Sequence, residues 1–191
     1  MDSPFANIAN ISRALRAAGA SIDVTRDPVA IASASKIVLP GVGSFNAAMT
    51  WLRSLRIDAA LHDAVANGAS LLGICVGHQL LFDSSDEMSV TRGLGFIRGE
   101  VRKFEGALPV PQIGWNRVSA RGPLFEGVES EAFYFVNSYT ARGAADEVAS
   151  ADYNGAFTAA VQRERVFGVQ FHPEKSSSAG LRVLRNFVAC N

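Results

Sequence analysis

The chain has 191 residues, 48% of them apolar and 19% charged, and this length is enough to bury a core. Lys and Arg together number 18, as do Asp and Glu, so no strong positive field attracts nucleic acid or an anionic membrane. The two cysteines, Cys75 and Cys190, form no even framework of disulfides and favour a reducing cytoplasm. The N-terminus lacks the features of a signal peptide, and no apolar run approaches membrane-spanning length. We expect one cytoplasmic domain over residues 1–191.

The first half of the chain predicts strands that alternate with helices. An apolar stripe over 7–18, closed by Gly19, predicts the first helix. Further strands are predicted over 21–25, 36–39 and 71–74, and further helices after Ser44 and over 58–67. Such alternation is typical of a parallel sheet in a doubly wound α/β fold, where ligands bind at the carboxyl ends of the strands.

The second half changes to short β-like runs separated by Gly, Pro and charged turns. These runs cover 93–104, 110–118, 133–139, 157–162 and 166–171, with a hairpin turn at 163–165. A closing helix is predicted over 178–188. We therefore predict one flavodoxin-like mixed sheet flanked by helices, with antiparallel additions in the second half.

A candidate nucleophile lies between a predicted strand and a predicted helix. The buried run before Cys75 is followed by helical spacing, and Gly73 and Gly77 stand two residues on either side. This is the spacing of the G-x-S-x-G nucleophile elbow, with sulfur in place of oxygen. The start of a helix favours a thiolate, and its free N–H groups can hold an oxyanion. The alternative is that Cys75 is a small buried core residue.

A candidate base and acid follow the strand over 166–171. Pro173 keeps His172 extended, so that His172 and Glu174 can project to one side. A histidine oriented by a carboxylate is the base that a thiol nucleophile requires. A surface turn that happens to contain histidine is the alternative for this tripeptide taken alone.

Several motifs together give the chain a family resemblance. They are G-I-C-V-G-H-Q and H-P-E, with L-P-G-V-G-S-F, G-L-G-F-I-R-G-E-V, G-W-N, Y-F-V-N-S-Y and L-R-N-F. In this order they resemble the class I (triad) glutamine amidotransferases, and within them the glutaminase subunits of imidazole glycerol phosphate synthase in histidine biosynthesis. The resemblance implies hydrolysis of L-glutamine to L-glutamate and ammonia, without metal or cofactor. It also implies a heterodimer with a (β/α)-barrel cyclase subunit, which uses the ammonia to make imidazole glycerol phosphate and AICAR.

The same resemblance assigns expected roles to individual residues. The expected triad is Cys75, His172 and Glu174, and the expected oxyanion donors are Val76 and Gly43, in a loop over 40–43 whose peptide can turn over. Expected glutamine-binding residues are Gly41, Gln79, Asn137, Ser138 and Tyr139, and the expected docking face includes Gln112, Trp115, Tyr134 and Lys175.

The chain departs from the family pattern at three points. His78 stands where methionine is frequent, and C-x-G-H-Q is more typical of anthranilate and aminodeoxychorismate synthase glutaminases. Asn137 and Gln112 replace histidines. The family's first strand ends in Asp, but here only Met1 precedes Asp2, so we expect that strand upstream.

Four other interpretations remain open from the residues. The chain could serve another synthase, such as anthranilate synthase, or be a cysteine peptidase or hydrolase of the same fold. Cys75 and His78 have C-x₂-H metal spacing, although no second ligand pair follows and His62 has the pattern of a solvated helix residue. A docking subunit without activity is the fourth interpretation, which the absent first strand favours.

Overall fold

The computed structural model describes residues 1–4 and 7–190, which form helices packed around three sheets. The helices are α1 (Ile8–Ala17), α2 (Pro28–Ala32), α3 (Phe45–Ser54), α4 (Ile57–Ala66), α5 (Val76–Gln79) and α6 (Ser177–Ala189). The strands are β1 (Lys36–Gly41), β2 (Ser70–Cys75), β3 (Phe82–Ser85), β4 (Thr91–Arg92), β5 (Ile97–Lys103), β6 (Gln112–Arg117), β7 (Ser119–Ala120), β8 (Ala132–Asn137), β9 (Tyr139–Ala141), β10 (Glu147–Asp152), β11 (Ala156–Arg163) and β12 (Val166–Val169). None of the helices in this part of the chain is both long and apolar enough to cross a lipid bilayer.

The largest sheet has six strands in the order β1-β2-β12-β11-β10-β7. The wholly buried strand β2 runs parallel to both of its neighbours, β1 and β12, whereas the remaining pairs are antiparallel. The prediction of a mixed α/β sheet is therefore confirmed. Because β1, β2 and β12 point the same way, the residues that follow them meet at one edge of the sheet.

The antiparallel additions differ from the single sheet that we predicted. Two of them form sheets of their own, one in the order β4-β3-β5-β9 and the other a β6-β8 pair. The run over 133–139 is broken at Ser138, so β8 pairs with β6 while β9 pairs with β5. One interruption in an extended run thus divides its two halves between different sheets.

The strand predicted over 21–25 is wrong, since these residues have no strand structure. A strand needs a ladder of backbone partners, and this segment has few. The N–H of Asp2 donates to the carbonyl oxygen of Thr25 at 2.7 Å, and the amino group of Met1 donates to that of Val38 at 3.2 Å. Met1 and Asp2 therefore lie between this segment and β1, which is an edge strand among the described residues. A first strand upstream stays a prediction.

Helix α2 was missed, although its start signals are in the sequence. Pro28 occupies its first turn, and the Asp27 side chain caps it by accepting from the N–H of Val29. The helix has five residues, too few to show a clear apolar period.

The side chain of His78, on α5, is fully buried. Its ring makes an edge contact with Phe82 at 5.2 Å between centroids, and a Cβ at Gly168 would lie 2.5 Å from its Nδ1 atom. No described residue offers a hydrogen bond to either ring nitrogen. Burial lowers the pKa of His78 to about 3, so the ring is neutral at physiological pH.

This histidine makes the fold sensitive to acid. Its folded pKa lies below its unfolded value, so its contribution to stability is complete above pH 6.5 and is lost as the pH falls toward 3. We expect the free energy of unfolding to fall by about 1.4 kcal/mol for each pH unit below 6 through this group, and His78→Leu to remove that slope.

Urea unfolding between pH 7 and 5, where most carboxylates stay ionised, measures the effect. His62→Leu, which removes an exposed histidine from α4, is the matched control and should keep the wild-type slope. Equal slopes in His78→Leu and wild type would contradict the prediction.

Candidate active site

Cys75 lies on a strained turn between β2 and α5. Its backbone has φ 55° and ψ −111°, a left-handed conformation that is unfavourable for a residue with a Cβ. A Cβ at Gly73 would lie 2.5 Å from the carbonyl oxygen of Gly77. A Cβ at Gly77 would overlap the carbonyl oxygen of Leu39. Both glycines are therefore needed for the turn to close against β1. Their spacing explains the elbow motif.

His172 and Glu174 lie beside this turn, at the end of β12. The Nδ1 atom of His172 is 2.9 Å from Oε1 of Glu174, and the two side chains are 5% and 2% exposed. Ser176 stabilises the segment over 172–176, because its hydroxyl donates to the carbonyl oxygen of His172 at 2.7 Å and accepts from the N–H of Tyr134 at 2.9 Å. The imidazole is therefore held in one orientation, which leaves Nε2 for the sulfur of Cys75.

The charge of His172 follows from its two neighbours. Burial acts to lower the pKa of His172, but hydrogen bonds to Cys75 and Glu174 outweigh burial and raise the pKa to about 9. The imidazole therefore holds a proton at neutral pH, between a sulfur and a carboxylate. This arrangement can support a thiolate–imidazolium pair and later deliver a proton to a leaving group.

A cavity of about 330 Å³ opens over Cys75 and His172. Most of the residues predicted to bind glutamine or its oxyanion line this cavity: Gly43, Val76, Gln79, Asn137, Ser138 and Tyr139. Gly41 does not line it; this glycine is the register partner of Cys75 on β1, and a Cβ there would lie 2.9 Å from the nitrogen of Gly77. Glu174 lies behind His172.

The two backbone segments that carry the expected oxyanion donors line the same cavity as Cys75. Val76 begins α5 directly after Cys75, and Gly43 lies in the loop that follows β1 with φ 91°. That loop ends where the Ser44 hydroxyl caps α3 by accepting from the N–H of Ala47. The start of α3 is therefore held in place while the preceding glycine is free to adopt unusual backbone angles.

Glu87 also lines the cavity, and sequence reasoning missed it. Its Oε2 atom accepts from the N–H of Phe45, the first residue of α3, at 2.7 Å. A carboxylate in an acidic turn after a short strand resembles many solvated side chains, so the sequence carries no signal that would have singled it out. Tertiary structure alone, in which the turn after β3 meets the start of α3, brings Glu87 to the cavity.

Gln79 and Asn137 are joined through one carbonyl oxygen. The side-chain amide nitrogens of Gln79 and Asn137 donate to the backbone oxygen of Tyr139 at 2.8 Å and 3.1 Å. Gln79 is 4% exposed, so it is not a solvated helix position. These bonds hold the 137–139 segment against the wall of the cavity.

Beside the cavity, an exposed patch consists of Ile113, Trp115, Tyr134 and Lys175. Ile113 and Trp115 are 65% and 55% exposed, which excludes Trp115 as a core aromatic. The Lys175 ammonium lies 5.8 Å from the centroid of the Tyr134 ring, and Lys175 also lines the cavity. The patch is therefore continuous with the site.

Gln112, expected on the docking face, is buried with 3% exposure. It begins β6, where its register partner on β8 is Asn137. The side-chain oxygens of these two residues have no hydrogen-bond partner in the described part of the chain. Gln112 therefore lies beneath the surface that Trp115 presents.

Within residues 1–4 and 7–190, no group of three or more His, Cys, Asp or Glu side chains could hold a metal ion. The ring of His78 packs against Gly168 and Phe82.

Comparison with known proteins identifies the family. The sequence profile described as "Glutamine amidotransferase class-I" matches residues 1–190. The chain is 48% identical to imidazole glycerol phosphate synthase subunit HisH of Thermococcus kodakarensis, over 98% of this chain and 96% of that one. It is 40% identical to the subunit of the same name from Salinibacter ruber, over 99% and 92% of the two chains.

Solved structures support the same fold. A crystal structure of a glutamine amidotransferase has a TM-score of 0.77 at 19% identity, and the match covers 96% of this chain and 93% of that one. At this identity the likeness shows the fold alone, whereas the sequence matches extend over nearly the whole chain. The chain therefore belongs to the class-I glutamine amidotransferase family.

Proposed function

We propose that this chain is the glutaminase subunit of imidazole glycerol phosphate synthase, which hydrolyses L-glutamine and passes ammonia to a cyclase subunit. The observation that carries the proposal is that Cys75 and His172 line the same cavity, with Glu174 hydrogen-bonded behind the imidazole. The HisH relatives at 40–48% identity support the choice of synthase. The proposed location is the cytoplasm, where the free thiols of Cys75 and Cys190 stay reduced.

The first half of the reaction forms a covalent intermediate. The Cys75 thiolate attacks the γ-carboxamide carbon of glutamine and forms a tetrahedral adduct. The protonated His172 donates its proton to the departing nitrogen, so ammonia leaves and a thioester remains. Glu174 stabilises the imidazolium and fixes its tautomer.

The second half releases glutamate. His172, now neutral, accepts a proton from water as the water attacks the thioester carbon. The adduct collapses, glutamate departs, and the sulfur is again paired with a protonated imidazole. In both halves the N–H groups of Val76 and the Gly43 loop are the proposed oxyanion donors, and each such donor typically contributes about 3–4 kcal/mol. A misaligned loop would therefore hold the subunit nearly inactive.

The α-amino and carboxylate groups of glutamine need partners at the far end of the cavity. Glu87 and Gln79 line the cavity, and a carboxylate and an amide oxygen suit an ammonium group. The polar backbone over 137–139 offers further hydrogen bonds. Because Glu87 also accepts from the N–H of Phe45, substrate bound there would contact the element that follows the oxyanion loop.

The proposed partner is a (β/α)-barrel cyclase that makes imidazole glycerol phosphate and AICAR. Ammonia that escapes to water becomes ammonium and loses its nucleophilicity, so the acceptor must dock close to the site. The patch of Ile113, Trp115, Tyr134 and Lys175 has exposed aromatic and apolar surface with one cation, and it borders the cavity. Such composition is typical of the centre of a protein interface.

A second candidate is the glutaminase of another synthase, such as anthranilate synthase, which His78 in C-x-G-H-Q favours. In this chain His78 is fully buried and contacts neither the cavity nor the exposed patch. The residue type at position 78 therefore reflects packing beneath α5 and does not distinguish between the two synthases. The likeness to the HisH subunits favours imidazole glycerol phosphate synthase.

Replacing the nucleophile tests the proposed function directly. We expect Cys75→Ala to lower glutamate release from L-glutamine by at least about a thousandfold, because the covalent route is lost. The assay uses the chain together with its cyclase subunit, and Cys190→Ser should keep wild-type activity. Cleavage of peptides in place of free glutamine would indicate a cysteine peptidase of the same fold. Failure of a glutamine-mimicking electrophile to label Cys75 would support a docking subunit.

The protonation of His172 can be observed directly, because the chain has three histidines. By NMR titration we expect the His172 ring to change protonation near pH 9 and the His78 ring to stay neutral down to about pH 3. Cys75→Ala and Glu174→Gln should each lower the His172 midpoint, since the first removes a hydrogen bond and the second removes a negative charge that favour the imidazolium, while burial remains. His62→Gln identifies the third signal. A His172 midpoint unchanged by both substitutions would refute the triad geometry.

The exposed patch can be tested separately from the chemistry. We expect Trp115→Ala to weaken binding of the cyclase subunit by about tenfold or more, because buried tryptophans at interfaces typically contribute about 2 kcal/mol or more. Calorimetry measures binding, and labelling of Cys75 by the electrophile should stay at the wild-type rate. Val29→Ala, which truncates a 76% exposed side chain on α2, is the control. Equal affinity of Trp115→Ala and wild type would place the interface elsewhere.

A further inference from the structure

Gln170 is a buried amide beside the nucleophile that the mechanism above does not use. It follows β12 directly, two residues before His172, and its exposure is 0%. Its backbone N–H donates to the carbonyl oxygen of Ala159 at 2.8 Å, which fixes the chain at this point. Its side-chain nitrogen lies 4.0 Å from the sulfur of Cys75.

Hydrogen-bond chemistry determines which end of the Gln170 amide faces the sulfur. A backbone carbonyl oxygen can only accept, so Gln79 must present its NH₂ group to Tyr139, at 2.8 Å. The second N–H of that group then donates to the Oε1 atom of Gln170 at 3.0 Å. Because the oxygen of Gln170 is used in this way, its N–H groups point toward Cys75.

Besides the His172 imidazole, the sulfur of Cys75 has two polar neighbours of opposite hydrogen-bonding character. The carbonyl oxygen of Val136 lies 3.9 Å away and can accept a hydrogen bond from a thiol, but it repels a thiolate. The NH₂ group of Gln170, at 4.0 Å, can instead donate to a thiolate. The Val136 contact therefore favours a thiol that points toward the carbonyl oxygen, whereas the Gln170 contact favours a thiolate that points toward the amide.

We propose that Gln170 is a positioning residue for Cys75: its amide, held by Gln79, donates to the thiolate and turns the sulfur away from the Val136 carbonyl. The inference rests on the proposed function insofar as Cys75 is the attacking group. The oxygen of Gln79 remains available to the cavity, so an ammonium group bound there would polarise the N–H groups that hold Gln170. Occupation of the amino-acid site thereby strengthens the hydrogen bond to the nucleophile.

The test is the pH dependence of Cys75 alkylation by iodoacetamide, in the full chain with Cys190→Ser as background. Gln170→Met keeps a similar volume but removes both the donor and the acceptor. We expect the midpoint of its alkylation profile to move upward by about half a unit to one unit, because a hydrogen bond to the charged form is lost. In the glutaminase assay kcat should fall while KM stays close to wild type, since no contact to substrate is removed.

Gln162→Met, on neighbouring β11, makes the same chemical change away from the site and should leave the profile unchanged. If Gln170→Met does not fold, Gln79→Met provides the second measurement, because loss of the residue that holds Gln170 should move the midpoint in the same direction. A midpoint that coincides with wild type in the folded variants would overturn the proposal. Alkylation needs no glutamine, so failure of the proposed function would appear separately, as absent glutamate release with the shift intact.

Discussion

The close approach of α5 to the ends of β1 and β2 is the constraint on which the site depends. A Cβ at Gly73 would collide with the backbone of Gly77, and a Cβ at Gly77 would collide with the backbone of Leu39. Cys75, between these glycines, has a positive φ. A tight turn of this kind presents the sulfur at the sheet edge with the first amide of a helix beside it. The strain at Cys75 is balanced by the burial of β2 and its parallel pairing on both sides.

The parallel register then brings the remaining groups to that edge. Val169 of β12 is opposite Ile74 of β2, so the chain that continues into His172 emerges next to Cys75. His172 lies between a sulfur and a buried carboxylate, and these two neighbours outweigh the cost of burying a charged imidazole. The same low-dielectric surroundings strengthen each of these interactions.

Buried polar groups around the site differ in how well they are satisfied. Gln79 and Gln170 form a connected chain that ends at the sulfur of Cys75. The side-chain oxygens of Gln112 and Asn137, by contrast, have no partner in the described part of the chain. An orphaned buried oxygen costs free energy, so the connected amides are the part of the network that stabilises one geometry.

The sequence by itself was enough to single out Cys75, His172 and Glu174 and to predict the α/β alternation, because these depend on local spacing: glycines around Cys75, Pro173 between His172 and Glu174, and apolar periodicity. Tertiary structure alone decided features that depend on distant partners. The segment 21–25 lacks a ladder and is not a strand, the break at Ser138 divides an extended run between two sheets, and Gln112 is buried opposite Asn137. Glu87 and Gln170 likewise reach the cavity or the sulfur only through packing, since an isolated carboxylate or amide carries no local pattern that distinguishes it from a solvated side chain.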